Sequence, residues 1–163
     1  MIAEASWARI RNDISIVLQL FQATTTSPTW REVGVEPVAL RGPDGTGEPI
    51  VAPRRLAFNG DAARNGAADP FIFAQDARAD GGGESDTRTL ASCDTALLPY
   101  DLAVCASLLI AKYHLGDSLL LRSDGDVEEL GWPLAREVAG TALGIHGVLR
   151  DDATRGIEWA EVS

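Results

Sequence analysis

Hydrophobic and polar positions follow a helical period near the start of the chain. In residues 5–22, apolar side chains recur every three or four positions, as on one face of a helix; they are Trp7, Ile10, Ile14, Val17, Leu18 and Phe21. Ile16 and Leu20 widen this apolar surface beyond one stripe. A helix with so wide a surface needs two neighbours. Residues 1–23 are therefore predicted to form an N-terminal helix that is a candidate interaction element, with Trp7, Ile16 and Leu20 as candidate interface residues.

Two more helices are predicted further along. Pro99–Leu115 is almost continuously apolar, with Pro99 suited to a first helical turn and Gly116 to the left-handed position after the last. Trp132–Leu143 has Pro133 early and Gly144 behind it. Short apolar runs bounded by turn residues predict strands at Val33–Leu40, Arg54–Phe58, Phe71–Gln75, Ser118–Arg122, Gly144–Arg150 and Gly156–Val162.

The order of these elements predicts the fold class. Helices and strands are mixed without a repeating βα unit, which favours an α+β fold. A chain of 163 residues fits one domain, so we expect a single domain over residues 1–163. Its centre is predicted to be the Pro99–Leu115 helix, buried and packed on a small, mainly antiparallel sheet. Residues 77–87, ARADGGGESDT, are predicted to be a flexible Gly-rich loop.

Charge narrows the set of partners. The net charge is −10, and it comes entirely from residues 61–163, which carry 8 basic and 18 acidic side chains, while residues 1–60 carry six of each. So acidic a segment repels phosphate backbones, which argues against nucleic-acid binding. The apolar run Ile16–Leu20 is too short to cross a bilayer, so no membrane role is predicted. We expect a cytoplasmic or virion setting.

The chain lacks the residues that several enzyme classes need. Lys112 is the only lysine and follows Ala111 inside a predicted helix, so no phosphate-binding Walker loop is present. Cys93 and Cys105 are twelve positions apart and no Cys-x-x-Cys occurs, so the sequence has no structural zinc pattern. We therefore predict no cofactor and no metal, and favour a non-enzymatic role.

One polar group leaves an enzymatic alternative open. The central helix opens with Asp101 and closes with Lys112, His114 and Asp117, a separation of roughly 17–24 Å. One interpretation is local: these charges complement the helix dipole. The other is a metal-dependent hydrolase in which His114 acts with nearby carboxylates, namely Asp117, Asp124 and Asp126. Trp30, in a polar stretch, is a further candidate interface residue, because Trp is enriched at interfaces.

Three stretches carry a resemblance to other proteins. "FNGD", "CDTALLPYDLAVCASLLIAKYHLGD" and "LLLRSDGD" together resemble small uncharacterised proteins of bacterial and bacteriophage genomes. The resemblance covers Phe58–Leu143 and implies a phage-related setting, without an activity, cofactor or catalytic residue.

These observations lead to one functional hypothesis and two alternatives. The first is a non-enzymatic interaction or assembly protein, such as a structural component of a phage-like particle, that binds a protein partner or itself. The second is the metal-dependent hydrolase built on His114. The third is an acidic regulatory or inhibitor protein that mimics nucleic acid.

Overall fold

The computed structural model describes residues 1–23, 38–76, 91–128 and 131–162. Within these ranges the chain forms three α-helices and five β-strands. The helices are α1 (Glu4–Ala23), α2 (Asp101–Leu115) and α3 (Trp132–Leu143), and the strands are β1 (Ile50–Ala52), β2 (Arg55–Phe58), β3 (Phe71–Ala74), β4 (Gly147–Asp152) and β5 (Gly156–Glu161). No helix in these ranges is long and apolar enough to cross a lipid bilayer.

Helix α1 buries the apolar stripe that its sequence predicts. All six residues of the stripe belong to the core, and the Trp7 ring lies 5.7 Å from the Phe73 ring of β3. The start of the helix is tied to the end of β3, because the backbone N–H of Ile2 donates to the carbonyl of Gln75 at 2.9 Å and the Gln75 side-chain amide donates back to the carbonyl of Ile2 at 3.2 Å. The N-terminal half of α1 therefore packs on the strands.

Strands β1, β2 and β3 form one antiparallel sheet in that order. Side chains alternate between the two faces of a strand, and the inner face supplies the buried residues Leu56, Phe58, Phe71 and Phe73. The register places Ile50 opposite Ala57 and Ala57 opposite Ile72 on the other face. We call this second face the outer sheet face; its residues are Ile50, Ala52, Arg55, Ala57, Ile72 and Ala74.

Helix α2 lies at the centre of the molecule. It is apolar nearly all round, as expected of a helix with neighbours on every side, and ten of its 15 residues are buried. It packs mainly against α1 and α3 and to a smaller extent against β5. Gly116, at φ +52°, ends the helix, and its N–H donates to the carbonyl of Lys112.

Strands β4 and β5 form a separate antiparallel hairpin beside α2 and α3. Its turn is held by Asp152, whose carboxylate accepts hydrogen bonds from the backbone N–H groups of Arg155 and Thr154 at 2.8 Å. These bonds stabilise the charged form and lower the pKa of Asp152. Gly156, at φ +71°, completes the turn and makes a single parallel bridge to Leu121.

The predicted α+β fold, with its N-terminal helix, is confirmed. The structure refines it in two ways: the strands form two small sheets, and the central helix has helices as its main neighbours. The strands predicted at Arg54–Phe58, Phe71–Gln75 and Gly156–Val162 correspond to β2, β3 and β5. The strand predicted from Gly144 begins at Gly147, because Gly144, at φ +69°, is the C-terminal cap of α3.

Two strand predictions differ from the structure. Ser118–Arg122 is not a strand: Gly116–Ser118 form a 3₁₀ turn, the carbonyl of Leu119 accepts a bond from the Lys112 side chain, and Leu121 makes an isolated bridge to Gly156. For Val33–Leu40, residues 33–37 lie outside the described ranges, and residues 38–40 are not a strand. Trp30 and residues 77–87 also lie outside the described ranges.

Candidate functional site

The lone lysine closes the central helix. Lys112 is 6% exposed, and its ammonium donates to the carbonyl oxygens of Gly116 at 3.0 Å and Leu119 at 2.7 Å. The last carbonyls of a helix have no partner inside the helix, and a cation at that end also complements the helix dipole. Lys112 therefore ties the segment that follows the helix back to its C-terminal turn, and its ammonium is bound rather than freely solvated.

His114 has a partner that the sequence prediction did not contain. Its Nε2 lies 2.6 Å from Oδ2 of Asp13 on α1, 101 residues earlier in the chain, and the two side chains are 12% and 17% exposed. An ionised carboxylate only accepts hydrogen bonds, so Nε2 carries the proton and donates it. The pair links α1 to α2. The sequence contains one indication of this pairing, because Asp13 is the only acidic residue among residues 5–22.

The predicted hydrolase set is not brought together. Asp117, Asp124 and Asp126 are all exposed, and the Asp126 carboxylate accepts the backbone N–H of Glu128 at 2.9 Å, as in an ordinary turn. The described residues contain no group of three or more His, Cys, Asp and Glu side chains that could hold a metal ion. The structure does not bring His114 together with these three aspartates, and its side chain contacts Asp13 of α1 instead.

A second polar cluster surrounds the start of α2. The hydroxyl of Thr95 donates to Asp101 Oδ1 at 2.6 Å, and the Cys105 thiol lies 3.7 Å from Asp101 Oδ2. The Tyr100 hydroxyl and the Cys93 thiol both donate to the carbonyl of Asp69, at 2.6 and 3.2 Å. These bonds fix the loop before α2 to the loop before β3.

Both thiols of this cluster are kept protonated. Burial, with smaller contributions from nearby carboxylates, raises the pKa of the Cys93 thiol to about 11. Burial, followed by the charge of Asp101, raises the pKa of Cys105 as well. The thiolate is the nucleophilic form of cysteine. Neither side chain is therefore poised for nucleophilic chemistry near neutral pH.

The "FNGD" stretch organises two loops. Asn59 is 2% exposed, and its side-chain amide donates to the carbonyls of Pro43 and Ala68 at 3.0 and 2.9 Å. Gly60 follows it, and a side chain there would overlap the carbonyl of Gly66. The motif has a structural role, because every polar atom of the Asn59 side chain is hydrogen-bonded to a backbone group.

The candidate interface residues have different environments. Trp7 is fully buried within this chain, and its indole N–H donates to the carbonyl of Pro53 at 2.6 Å. Ile16 and Leu20 are half-buried, with Leu20 packed against the core. Trp30 lies outside the described ranges.

A cleft of about 350 Å³ lies where α2 ends beside the β4–β5 hairpin. Tyr113 and Trp159 both line it, and their rings contact each other with centroids 6.1 Å apart and planes inclined by 59°. Its charged side chains are Lys112, Asp117, Arg150, Glu158 and Glu161. A second cleft, of about 510 Å³, lies between α3 and β4 and includes His146.

Comparisons with protein-family profiles, with curated proteins and with solved structures found no match to this chain.

Proposed function

We propose that the protein is a non-enzymatic assembly protein that binds a second copy of itself through the outer sheet face. One observation carries the proposal: Ile50 and Ile72 are each 37% exposed and lie on either side of Ala57, which is itself fully buried. Arg55 is the only charged residue of the face. Exposed apolar side chains grouped on one surface are typical of contacts between protein chains.

The sheet edge adds to this surface. β1 pairs with β2 alone among the described strands; Val51 in its middle is 46% exposed, but it lies opposite Leu56 and so on the other face of the sheet. A strand at a sheet edge can pair with another chain. Pro49 and Pro53 bracket β1 and limit such pairing to three residues. Burial of side chains, rather than a long ladder, would therefore supply most of the contact.

Charge permits two copies to meet at this face. Residues 1–60, which include β1 and β2, carry no net charge, and the outer sheet face contains no carboxylate. The acidic excess belongs to residues 61–163. Two copies that meet through this face therefore avoid most of the repulsion between their acidic parts.

The reactive groups support a non-enzymatic role. Lys112 is bound to two carbonyls, His114 is paired with Asp13, and burial keeps the Cys93 thiol protonated. The resemblance to small uncharacterised proteins of bacterial and bacteriophage genomes adds a phage-like particle as the proposed setting. The hypothesis of an acidic inhibitor stays a prediction, and binding that persists at high salt would contradict its electrostatic basis.

Light scattering coupled to size exclusion tests the proposal over a range of protein concentrations. We expect the wild-type chain to be a dimer or larger, and Ile50→Lys/Ile72→Lys to be a monomer, because the second copy would have to bury both charges. Leu120→Lys is the matched control, since Leu120 is 50% exposed but lies off this face. A monomeric wild type at every concentration, or equal dissociation by the control, would overturn the proposal.

A further inference from the structure

We propose that the cleft between the end of α2 and the β4–β5 hairpin binds an arginine side chain from a basic segment of a partner protein. This goes beyond self-association, because the cleft and the outer sheet face are formed by different strands. No group of the proposed dimer contact is needed for it.

The aromatic walls favour a flat cation. Tyr113 is 41% exposed, and its ring packs at an angle against that of half-buried Trp159, with centroids 6.1 Å apart. The face of an aromatic ring attracts a cation that lies within about 6 Å of its centroid. A guanidinium group is planar and more weakly hydrated than an ammonium, so it stacks on such rings at a smaller desolvation cost.

Carboxylates stand beside the rings. Trp159 and Glu161 are two positions apart on β5 and so share one face of the hairpin, while Asp117 follows α2. Asp117 and Glu161 are exposed and have no hydrogen bond or ion pair among the described residues. Carboxylates accept paired hydrogen bonds from a guanidinium group, so they suit the same ligand as the rings.

The surroundings add further negative potential. The cleft lies at the C-terminal end of α2, which is the negative end of its dipole, and Lys112 offsets only part of this because its ammonium is already bound to two carbonyls. Glu158 is engaged by Arg155 at 3.8 Å. Three carboxylates line the cleft against two cationic side chains, and residues 61–163 as a whole are strongly acidic.

Arg150 is the cation of this chain best placed to compete. It lines the cleft, is exposed, and its side chain has no hydrogen bond or ion pair among the described residues. The register places it opposite Glu158, on the hairpin face opposite to that of Trp159 and Glu161. Removal of its charge is therefore expected to strengthen the binding of an external guanidinium group.

The test is calorimetric titration of the full chain with a blocked peptide in which arginine alternates with glycine. We expect binding that is lost when citrulline replaces arginine, and that is weaker with lysine. Tyr113→Leu is expected to weaken binding about fivefold. Tyr113→Phe keeps the ring and should keep the affinity. Asp117→Asn/Glu161→Gln should weaken binding by at least the same factor, whereas Arg150→Gln should strengthen it.

A matched control separates the cleft from the overall acidity. Asp124→Asn/Asp126→Asn removes the same number of charges from exposed residues that do not line the cleft. Equal weakening by this control, equal binding of the citrulline or lysine peptide, or no binding of the arginine peptide would overturn the proposal. The monomeric Ile50→Lys/Ile72→Lys variant should bind the peptide unchanged, so failure of one proposal does not imply failure of the other.

Discussion

The Asp13–His114 pair should couple the first and central helices with a measurable free energy. The Nε2–Oδ2 distance of 2.6 Å is that of a short, charge-assisted hydrogen bond, and both side chains are mostly buried at 12% and 17% exposure. Hydrogen bonds to charged groups contribute roughly 1.5–3 kcal/mol to stability. Because some solvent reaches both groups, we expect the lower end, a coupling of about 1.5 kcal/mol.

A double-mutant cycle isolates this coupling from the loss of packing. Asp13→Ala, His114→Ala and the double variant are compared with the wild type by urea unfolding, with the slope of free energy against denaturant checked for constancy. The single variants each remove the bond together with other contacts of their own side chain. The double variant loses those same contacts, but it loses the bond only once. The coupling energy is therefore the amount by which the two single losses of unfolding free energy together exceed the loss in the double variant.

A second cycle with the same histidine variant supplies the control. Asp117 is three residues from His114 in sequence, is exposed, and makes no hydrogen bond or ion pair among the described residues. Asp117→Ala combined with His114→Ala should therefore show a coupling within about 0.5 kcal/mol of zero. A coupling below about 0.5 kcal/mol in the Asp13 cycle, or a larger one in the Asp117 cycle, would refute the assigned pairing.

Three further changes have defined outcomes. Lys112→Met keeps the apolar stem but loses two bonds to carbonyls, so urea unfolding should show a loss of about 2 kcal/mol, and no loss would contradict the role of these bonds. Gly60→Ala would place a side chain against the backbone of Gly66 and should lower the free energy of unfolding by about 3 kcal/mol or more. Gly66→Ala, where the nearest atom is 3.3 Å away, should lower it by less. Alkylation of Cys93 should accelerate with pH up to about 11, and an inflection near 9 would contradict its burial.

The pH dependence of stability follows from the same thiol. Its pKa is raised from 9.0 in the unfolded chain to about 11 in the fold, so the protonated thiol is the form that folding favours. The contribution to stability is complete below pH 9 and is lost as pH rises toward 11. Cys93→Ser titrates far above this range, so its unfolding free energy should fall less steeply with pH over that window.

The helices were predictable because their signals are local. The stripe of α1 repeats within 18 residues, and α2 and α3 are bounded by proline at the start and glycine at the end. Strand β1 has no comparable signal. Ile50–Ala52 is three residues long between two prolines, and it is a strand only because β2 lies beside it.

The candidate site was harder to predict because its contacts join distant residues. The residues of the predicted set around His114 were near one another in sequence, whereas its partner Asp13 is 101 positions away. Likewise, Tyr113 meets Trp159 only because the hairpin folds back onto the end of α2. Periodicity fixes which face a residue occupies, but it does not specify which element will cover that face.

The end of α2 illustrates how one helical turn can serve several neighbours. Successive residues of a helix are rotated by about 100°, so Lys112, Tyr113 and His114 must face different directions. Lys112 turns back to the carbonyls that follow the helix, Tyr113 faces the hairpin, and His114 reaches α1. Because α2 is enclosed on several sides, a polar residue at its end meets a partner instead of bulk water. The adjacency of lysine and histidine in the sequence therefore does not imply a joint site, and the divergence of their side chains leaves Tyr113 facing the cleft.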